Sequence, residues 1–179
     1  CGTGAAKSNT YITEFKIPTV CAQPLAITTD HSGNVWFTES NAGKLAKFDP
    51  FSRLFTEYEN TKWPKGDQSM MWGMDYASDG NIWFTDEAHD IVWKFSISEK
   101  NYTSFKYPAS DGGEVFPQRL VIDDQKILVN DFTGNRITFF DSSQSGKEIK
   151  YSIVNSPTTD TLTGALAVDS NRKVWYTVW

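Results

Sequence analysis

Short apolar and polar runs alternate along the chain, and one pattern of them returns at a nearly fixed interval. An apolar run leads into a turn rich in Gly, Asn and Asp, and a run of β-branched and aromatic residues follows. The second run occupies residues 35–39, 82–86, 127–131 and 174–178. The second residues of these runs are Trp36, Trp83, Leu128 and Trp175, which lie 47, 45 and 47 residues apart. A fixed period of this length predicts stacked supersecondary units.

Each unit predicts four short antiparallel strands joined by tight turns. In the first unit, the runs at 24–29, 35–38, 45–48 and 54–58 are separated by Gly, Asn and Asp. No stretch shows the sustained apolar period of a helix. Residues 11–18 match the fourth strands, so we predict that they form an outer strand that completes another blade and seals a ring.

The predicted fold is therefore all-β: a β-propeller of four-stranded antiparallel blades, with about three and a half blades present as a partial ring. A tether at 1–10 and the closing strand at 11–18 precede the blades. The predicted blades are residues 24–59, 70–107 and 117–154, with a truncated blade at 163–179. An open array leaves apolar blade faces in water. We therefore expect a fragment whose missing blades come from the rest of the chain or from another subunit.

Two stretches resemble the repeat of a known propeller family. Residues 36–39 read Trp-Phe-Thr-Glu, and residues 79–87 read Asp-Gly-Asn-Ile-Trp-Phe-Thr-Asp-Glu. Both are similar to the streptogramin lyase (virginiamycin B lyase) family, and the resemblance weakens only at Leu128. It implies a seven-bladed ring in which a divalent metal and a histidine–glutamate set at the central opening cleave a cyclic depsipeptide ester by elimination. The family's histidine and glutamate belong to later blades and match no position here.

Composition and charge narrow the partners. The net charge is −5 and the basic residues form no run, which argues against a nucleic-acid partner. No segment approaches the ~20 apolar residues of a membrane span. The two cysteines, Cys1 and Cys21, could form a disulfide in an exporting compartment. Alternatively, Cys1 could carry a lipid anchor. We expect an extracytoplasmic protein, secreted or surface-anchored.

Three carboxylates occupy equivalent positions at the ends of the second strands. Glu39, Asp86 and Asp131 would converge at the mouth of the ring if those ends face the channel. Oxygen ligands of this kind suit Mg²⁺ or Ca²⁺, and no organic cofactor is expected. The alternative is that each carboxylate accepts backbone N–H groups in the turn that follows it, which would produce the same spacing without a metal.

Other polar residues near these strand ends are candidates for chemistry. His89 follows Asp86 closely and could act as a general base, or it could be an exposed residue without a role. Glu87 and Asn130 lie beside the carboxylates and are predicted to contact a ligand.

Aromatic and basic residues near the inner strands are further candidates. Trp63 and Trp72, in the long connection 60–72, could stack on a flat or cyclic ligand, although Trp72 could instead pack between blades. Arg119 begins an inner strand, where it could hold an anionic group or pair with a nearby carboxylate.

These observations favour an extracytoplasmic propeller that binds a small molecule, a peptide or a partner protein. One alternative is a metal-dependent carbon–oxygen lyase that opens a cyclic ester or lactone by elimination. Another is a gluconolactonase-like hydrolase, which would also use a central cation. The blade type alone does not decide among them, because one propeller type hosts many functions.

Overall fold

The computed structural model describes residues 5–64, 68–109, 113–142, 150–158 and 161–179. Across these ranges the chain forms fourteen β-strands, and no helix long and apolar enough to cross a membrane occurs in them. The Cys1 position, for which we predict a disulfide or a lipid anchor, lies outside the described residues, as do residues 65–67 of the connection that carries Trp63.

The strands form three four-stranded antiparallel sheets and one two-stranded sheet, each in sequence order. The first blade contains β1 (Pro24–Thr29), β2 (Val35–Glu39), β3 (Lys44–Asp49) and β4 (Leu54–Glu59). The second contains β5 (Met74–Tyr76), β6 (Asn81–Asp86), β7 (Ile91–Ser96) and β8 (Asn101–Lys106). The third contains β9 (Pro117–Asp123), β10 (Lys126–Asp131), β11 (Arg136–Asp141) and β12 (Tyr151–Asn155), and the half blade contains β13 (Thr163–Val168) and β14 (Val174–Val178). The predicted fold class is confirmed.

Local turn chemistry explains why the strands reverse where they do. In the hairpin between β1 and β2, the carboxylate of Asp30 accepts hydrogen bonds from the backbone N–H groups of Ser32 and Asn34, at 2.9 and 3.0 Å. Gly33 and its counterpart Gly80 have φ angles of 80° and 83°, in the region that side chains disfavour. These residues fix tight hairpins, so the strands on either side pair in one register.

The second blade is buried on both faces because the first and third blades pack against it around an axis. The first strands lie innermost, since β1 contacts β5, β5 contacts β9 and β9 contacts β13. One core cluster fills the space between the first and second blades and includes Trp36, Leu45, Phe84, Trp93 and Phe95. A second fills the space between the second and third blades and includes Trp83, Phe105, Ile127, Val129 and Phe140. This arrangement places the ends of equivalent strands at one end of the partial ring.

Residues 11–18 do not pair as a strand among the described residues, where an isolated bridge joins Ser8 and Thr13. The segment nevertheless stands where an outer strand would. The ring of Phe15 lies 4.5 Å from that of Phe48, as the ring of Tyr58 in β4 lies 5.0 Å from that of Phe95 in the next blade. That the segment completes another blade stays a prediction, because no other strand of such a blade is described.

Candidate functional site

One end of the partial ring gathers the residues that we predicted as functional. Antiparallel pairing sets Pro24 opposite Glu39 and Pro117 opposite Asp131, so the second strands end where the inner strands begin. We call this end the mouth.

The three predicted metal ligands do not converge at the mouth. Glu39, Asp86 and Asp131 are each fully buried within their own blades. Among the residues that the structure describes, no three acidic, histidine or cysteine side chains are placed to hold a metal ion. Each carboxylate has a separate environment, and the three environments differ.

Asp86 is saturated by donors from its own blade and from the connection before it. It accepts hydrogen bonds from the Ser69 hydroxyl at 2.5 Å and from the Trp93 indole at 3.0 Å. The Nδ1 atom of His89 lies 2.8 Å from both oxygens of Asp86. Ser69 also accepts the backbone N–H of Ala88 at 3.1 Å. This carboxylate therefore holds the connection that carries Ser69 and the connection that carries His89 against the end of β6.

Asp131 plays a similar part in the third blade, with a cation as its main partner. Its Oδ2 atom lies 2.9 Å from Nε of the buried Arg136. Its Oδ1 atom accepts the backbone N–H groups of Phe116 and Gly134, at 2.9 and 3.1 Å. The alternative interpretation of these carboxylates, as acceptors for backbone N–H groups in the adjacent turns, describes Asp131 well.

Glu39 differs from both, because its two buried carboxylate oxygens accept no hydrogen bond from the described residues. Burial raises its pKa, and the nearby carboxylate of Glu57 adds to the rise, while Thr19 and Lys44 act in the opposite direction. A charge on this carboxylate is costly, because its buried oxygens accept no hydrogen bond from the described residues.

The residues present therefore do not fit a shared Mg²⁺ or Ca²⁺ ion. The oxygens of Asp86 and Asp131 already accept several short hydrogen bonds, and Arg136 supplies the positive charge beside Asp131. A hard cation needs several converging oxygen ligands. No such set is formed by the described residues, so we derive no chemistry from a metal at this end of the chain.

A relay of hydrogen bonds crosses from each blade to the next, one residue before each carboxylate. The Thr85 hydroxyl accepts the backbone N–H of Gly73 at 3.0 Å and donates to the carbonyl of Gln118, in the next blade, at 2.7 Å. Thr38 does the same, accepting from Ala26 at 3.1 Å and reaching the Met71 carbonyl at 3.4 Å.

Asn130 holds the equivalent position in the third blade. Its side-chain oxygen accepts the N–H of Arg119 at 2.5 Å, and its amide donates to the carbonyls of Thr163 and Gly164 at 2.7 and 2.8 Å. Asn130 is fully buried. The structure thus gives this predicted ligand contact a role in joining the third blade to the half blade.

Trp63 is also more enclosed than its place in a polar connection indicated. Its indole ring meets the ring of His89 edge-on at 5.2 Å and lies 6.3 Å from the ring of Trp93. A Cβ atom on Gly43 would stand 2.4 Å from the same indole. Trp63 is half-buried as a wedge between a turn of the first blade and the connection after β6.

The structure brings the remaining predicted residues together in a row on the mouth. The guanidinium of Arg119 lies over the Trp72 ring, 5.8 Å from its centre, and donates to the Trp72 carbonyl at 3.2 Å. Beside it, Gln118 Nε2 donates to Glu87 Oε2 at 3.0 Å. Arg119 is exposed, while Trp72, Glu87 and Gln118 are half-buried. We call these four residues the mouth row.

Sequence reasoning missed the relay and part of the row. The sequence does contain a signal for the relay, because polar residues occupy the equivalent position of each repeat, at Thr38, Thr85 and Asn130. Gln118 was overlooked, although it precedes Arg119 on the same inner strand. Further along the mouth, Gln23 Nε2 lies 3.6 Å from the sulfur of Met70, which links the first blade to the second.

Comparison with known proteins supports the fold. No protein-family model matches the chain, and no curated protein matches it in sequence. Virginiamycin B lyase from Staphylococcus aureus is similar in structure, with a TM-score of 0.76 and 21% identity over 92% of this chain. A streptogramin B lyase structure gives a TM-score of 0.74 at 19% identity over 92% of this chain and 51% of that chain.

The extracellular domain of a two-component system from B. thetaiotaomicron is also similar, with a TM-score of 0.61 and 18% identity over 95% of this chain and 22% of that one. This chain spans about half the length of the virginiamycin B lyase that it matches, 52%. At these identities the likeness extends to the fold, which is that of the lyase-like β-propellers, as the repeat motif predicted.

Proposed function

We propose that this chain is a ligand-binding part of a β-propeller and that the mouth row is its contact surface. The observation that carries the proposal is the exposed guanidinium of Arg119 held flat over Trp72. A stacked guanidinium of this kind is pre-oriented, so it loses little freedom when it binds a planar anion.

The chemistry of the row favours a ligand with a carboxylate and a flat group. Arg119 donates one hydrogen bond to the Trp72 carbonyl, and a guanidinium has five N–H donors in all. A carboxylate accepts such donors in pairs. The neighbouring Gln118 and Glu87 add a donor and an acceptor on one side. Small peptides and peptide-like molecules combine these features.

The test uses N-acetyl-L-tryptophan as the probe and its uncharged amide as the matched control ligand. We expect the acid to bind more tightly than the amide, and Arg119→Ala to weaken binding of the acid about tenfold while leaving the amide unchanged. Titration calorimetry measures both. Arg172→Ala removes an exposed arginine at the opposite end of the half blade and should have no effect.

Equal binding of acid and amide, or equal losses in both arginine variants, would contradict an anion contact at Arg119.

A second candidate, a carbon–oxygen lyase, is supported by the pairing of His89 with Asp86. A carboxylate 2.8 Å from Nδ1 fixes the orientation of the imidazole and favours the tautomer in which Nε2 accepts a proton. In an elimination, the imidazole would remove a proton from the carbon next to the one that bears the ester oxygen. A carbon–carbon double bond would form between these two carbons, the carbon–oxygen bond would break, and the ester oxygen would leave as a carboxylate.

Incubation with quinupristin, the ligand named for a solved virginiamycin B lyase, tests this candidate. Elimination opens the ring without changing the mass, whereas a hydrolase of the gluconolactonase type adds the mass of one water. Chromatography with mass spectrometry separates these outcomes. His89→Gln should abolish elimination. Intact quinupristin after prolonged incubation with folded protein would contradict catalysis by this chain.

We also propose an extracytoplasmic location. Cys21 is disulfide-bonded, and disulfides persist in oxidising compartments. The similar structure from B. thetaiotaomicron is an extracellular domain. Labelling of intact cells with a membrane-impermeant reagent would place the protein on either side of the membrane.

A further inference from the structure

A segment before the first strand, residues 15–19, lies across the apolar outer face of the first blade. We call it the strap. Its Phe15 packs on Phe48, and Ile17 packs against the cluster that contains Phe37 and Phe48. Between strap and sheet runs a groove of about 350 Å³ lined by apolar side chains. The strap therefore covers part of an apolar surface that would otherwise meet water.

The strap is fastened by charged groups at Thr19. Its backbone N–H and its hydroxyl both donate to Oε1 of Glu57, each at 3.0 Å. Lys44 Nζ lies 3.3 Å from both Glu57 Oε2 and Thr19 Oγ1. It also lies 3.8 Å from the more exposed Glu59. The charge on Glu57 is thus the acceptor that holds the strap to β4.

Glu39 shares these neighbours, but Thr19 and Lys44 offset only part of the rise in its pKa that burial and Glu57 cause. The one hydroxyl proton of Thr19 is directed at Glu57, and the buried oxygens of Glu39 accept no hydrogen bond from the described residues. When Glu39 is ionised, its buried charge repels that of Glu57, whose side chain is 22% exposed. Tyr102 of the second blade also faces this group, and burial raises the pKa of its phenol, so it stays neutral here.

We propose that Glu39, Lys44, Glu57 and Thr19 form a pH-sensitive latch that holds the strap most firmly in mildly acidic solution. In that range the raised pKa of Glu39 favours its neutral form, and the lowered pKa of Glu57 keeps its carboxylate charged. Above it, the buried charge on Glu39 loosens the cluster, and below it, Glu57 loses the charge that Thr19 and Lys44 bind.

The weakening of the latch at low pH and at high pH follows from pKa shifts of Glu57 and Glu39 in opposite directions. Burial alone would raise the pKa of Glu57, but the hydrogen bonds from Thr19 and Lys44 outweigh it, so the net shift is downward. Its contribution is complete above the ordinary glutamate pKa of about 4.3 and is lost as the pH falls through the folded value. The pKa of Glu39 is raised, so its contribution is complete below about 4.3 and is lost as the pH rises through the folded value.

Amide hydrogen exchange at Thr19 measures the latch directly, because this N–H donates to Glu57. In the 179-residue chain, we expect protection, corrected for intrinsic exchange, to fall severalfold toward about pH 8, as the pH rises through the raised pKa of Glu39. Glu39→Gln removes the buried charge with little change in shape, so it should keep the protection at the higher pH.

Two variants complete the test. Glu57→Gln should lower the protection at every pH at which Glu57 is charged in the wild type, and Glu59→Gln, at the exposed carboxylate, should behave as the wild type does. A flat pH profile in the wild type, or an unchanged fall toward about pH 8 in Glu39→Gln, would overturn the proposal. Urea unfolding of each variant shows that a change at Thr19 is local rather than global.

Discussion

At the scale of single residues, the indole N–H of the repeated tryptophan shows how one substitution changes a blade. In the first blade, Trp36 donates to Asp30 at 2.8 Å, and in the half blade Trp175 donates to Asp169 at 2.9 Å. The second blade has Ala77 at the equivalent position, and the buried indole N–H of Trp83 has no acceptor among the described residues. The repeat therefore tolerates an unsatisfied donor that its sister blades avoid.

Asp30→Ala should destabilise the chain by about 2 kcal/mol at neutral pH, because it leaves the fully buried Trp36 without an acceptor and frees two turn amides. Urea unfolding measures the loss. Asp169→Ala is the matched control: the same bond is broken, but Trp175 is 62% exposed and water replaces the acceptor, so the loss should be smaller. Equal losses would show that burial of the indole is irrelevant.

The hydrogen bond between Trp36 and Asp30 also predicts that the stability depends on pH. Burial raises the pKa of Asp30, but the hydrogen bonds from Trp36, Asn34 and Ser32 outweigh it, and the net shift is downward. The stability that Asp30 contributes is therefore complete above the ordinary aspartate pKa of about 3.9 and is lost as the pH falls through the folded value. The difference between wild type and Asp30→Ala should shrink in acid, and a constant difference would contradict this account.

At the scale of elements, neighbouring blades are joined by polar contacts as well as by apolar packing. Each relay residue accepts an N–H at or just before the inner strand of its own blade and donates to a carbonyl at or just before the inner strand of the next blade. The strands must approach closely for this, and a Cβ atom at Gly73 would lie 2.5 Å from the Gln118 carbonyl oxygen. The hydroxyl of Thr85 and the absence of a side chain at Gly73 are therefore both needed for this close contact between blades.

Thr85→Val keeps the shape of the side chain and removes both hydrogen bonds. We expect a loss of about 2 kcal/mol in the free energy of unfolding, because the buried N–H of Gly73 loses its acceptor. Thr56→Val, on the exposed side of β4, is the control and should change little. Hydrogen exchange should rise at Gly73 in the first variant alone. Unchanged stability would mean that apolar packing suffices to join these blades.

At the scale of the whole molecule, the blades could be predicted from the sequence, and the predicted convergence of carboxylates was not observed. The alternation of apolar residues and the Gly- and Asn-rich turns locate the strands because they are local signals. Whether a strand end points into the channel depends on packing between blades. One signal was available: Phe84 and Asp86 lie two residues apart on β6, so their side chains share a face, and Phe84 belongs to a core cluster.

Other features depend on contacts that no local pattern records. The oxygens of Glu39 accept no hydrogen bond from the described residues, because Thr19 donates its hydroxyl proton to Glu57, 38 residues along the chain. The stacking of Arg119 on Trp72 joins inner strands of two blades, 47 residues apart. Trp63 reaches a glycine in another turn and a histidine in another blade. Such pairings need the assembled ring.

The hydrogen bonds of the relay all run in one direction around the partial ring. In all three interfaces the side chain that donates belongs to the earlier blade, and the carbonyl that accepts belongs to the later one. The two ends of the array are consequently not equivalent in the direction of these contacts. Any additional blade must join in the same sense, so closure is heterologous, and two arcs of this kind cannot meet through a pair of identical ends.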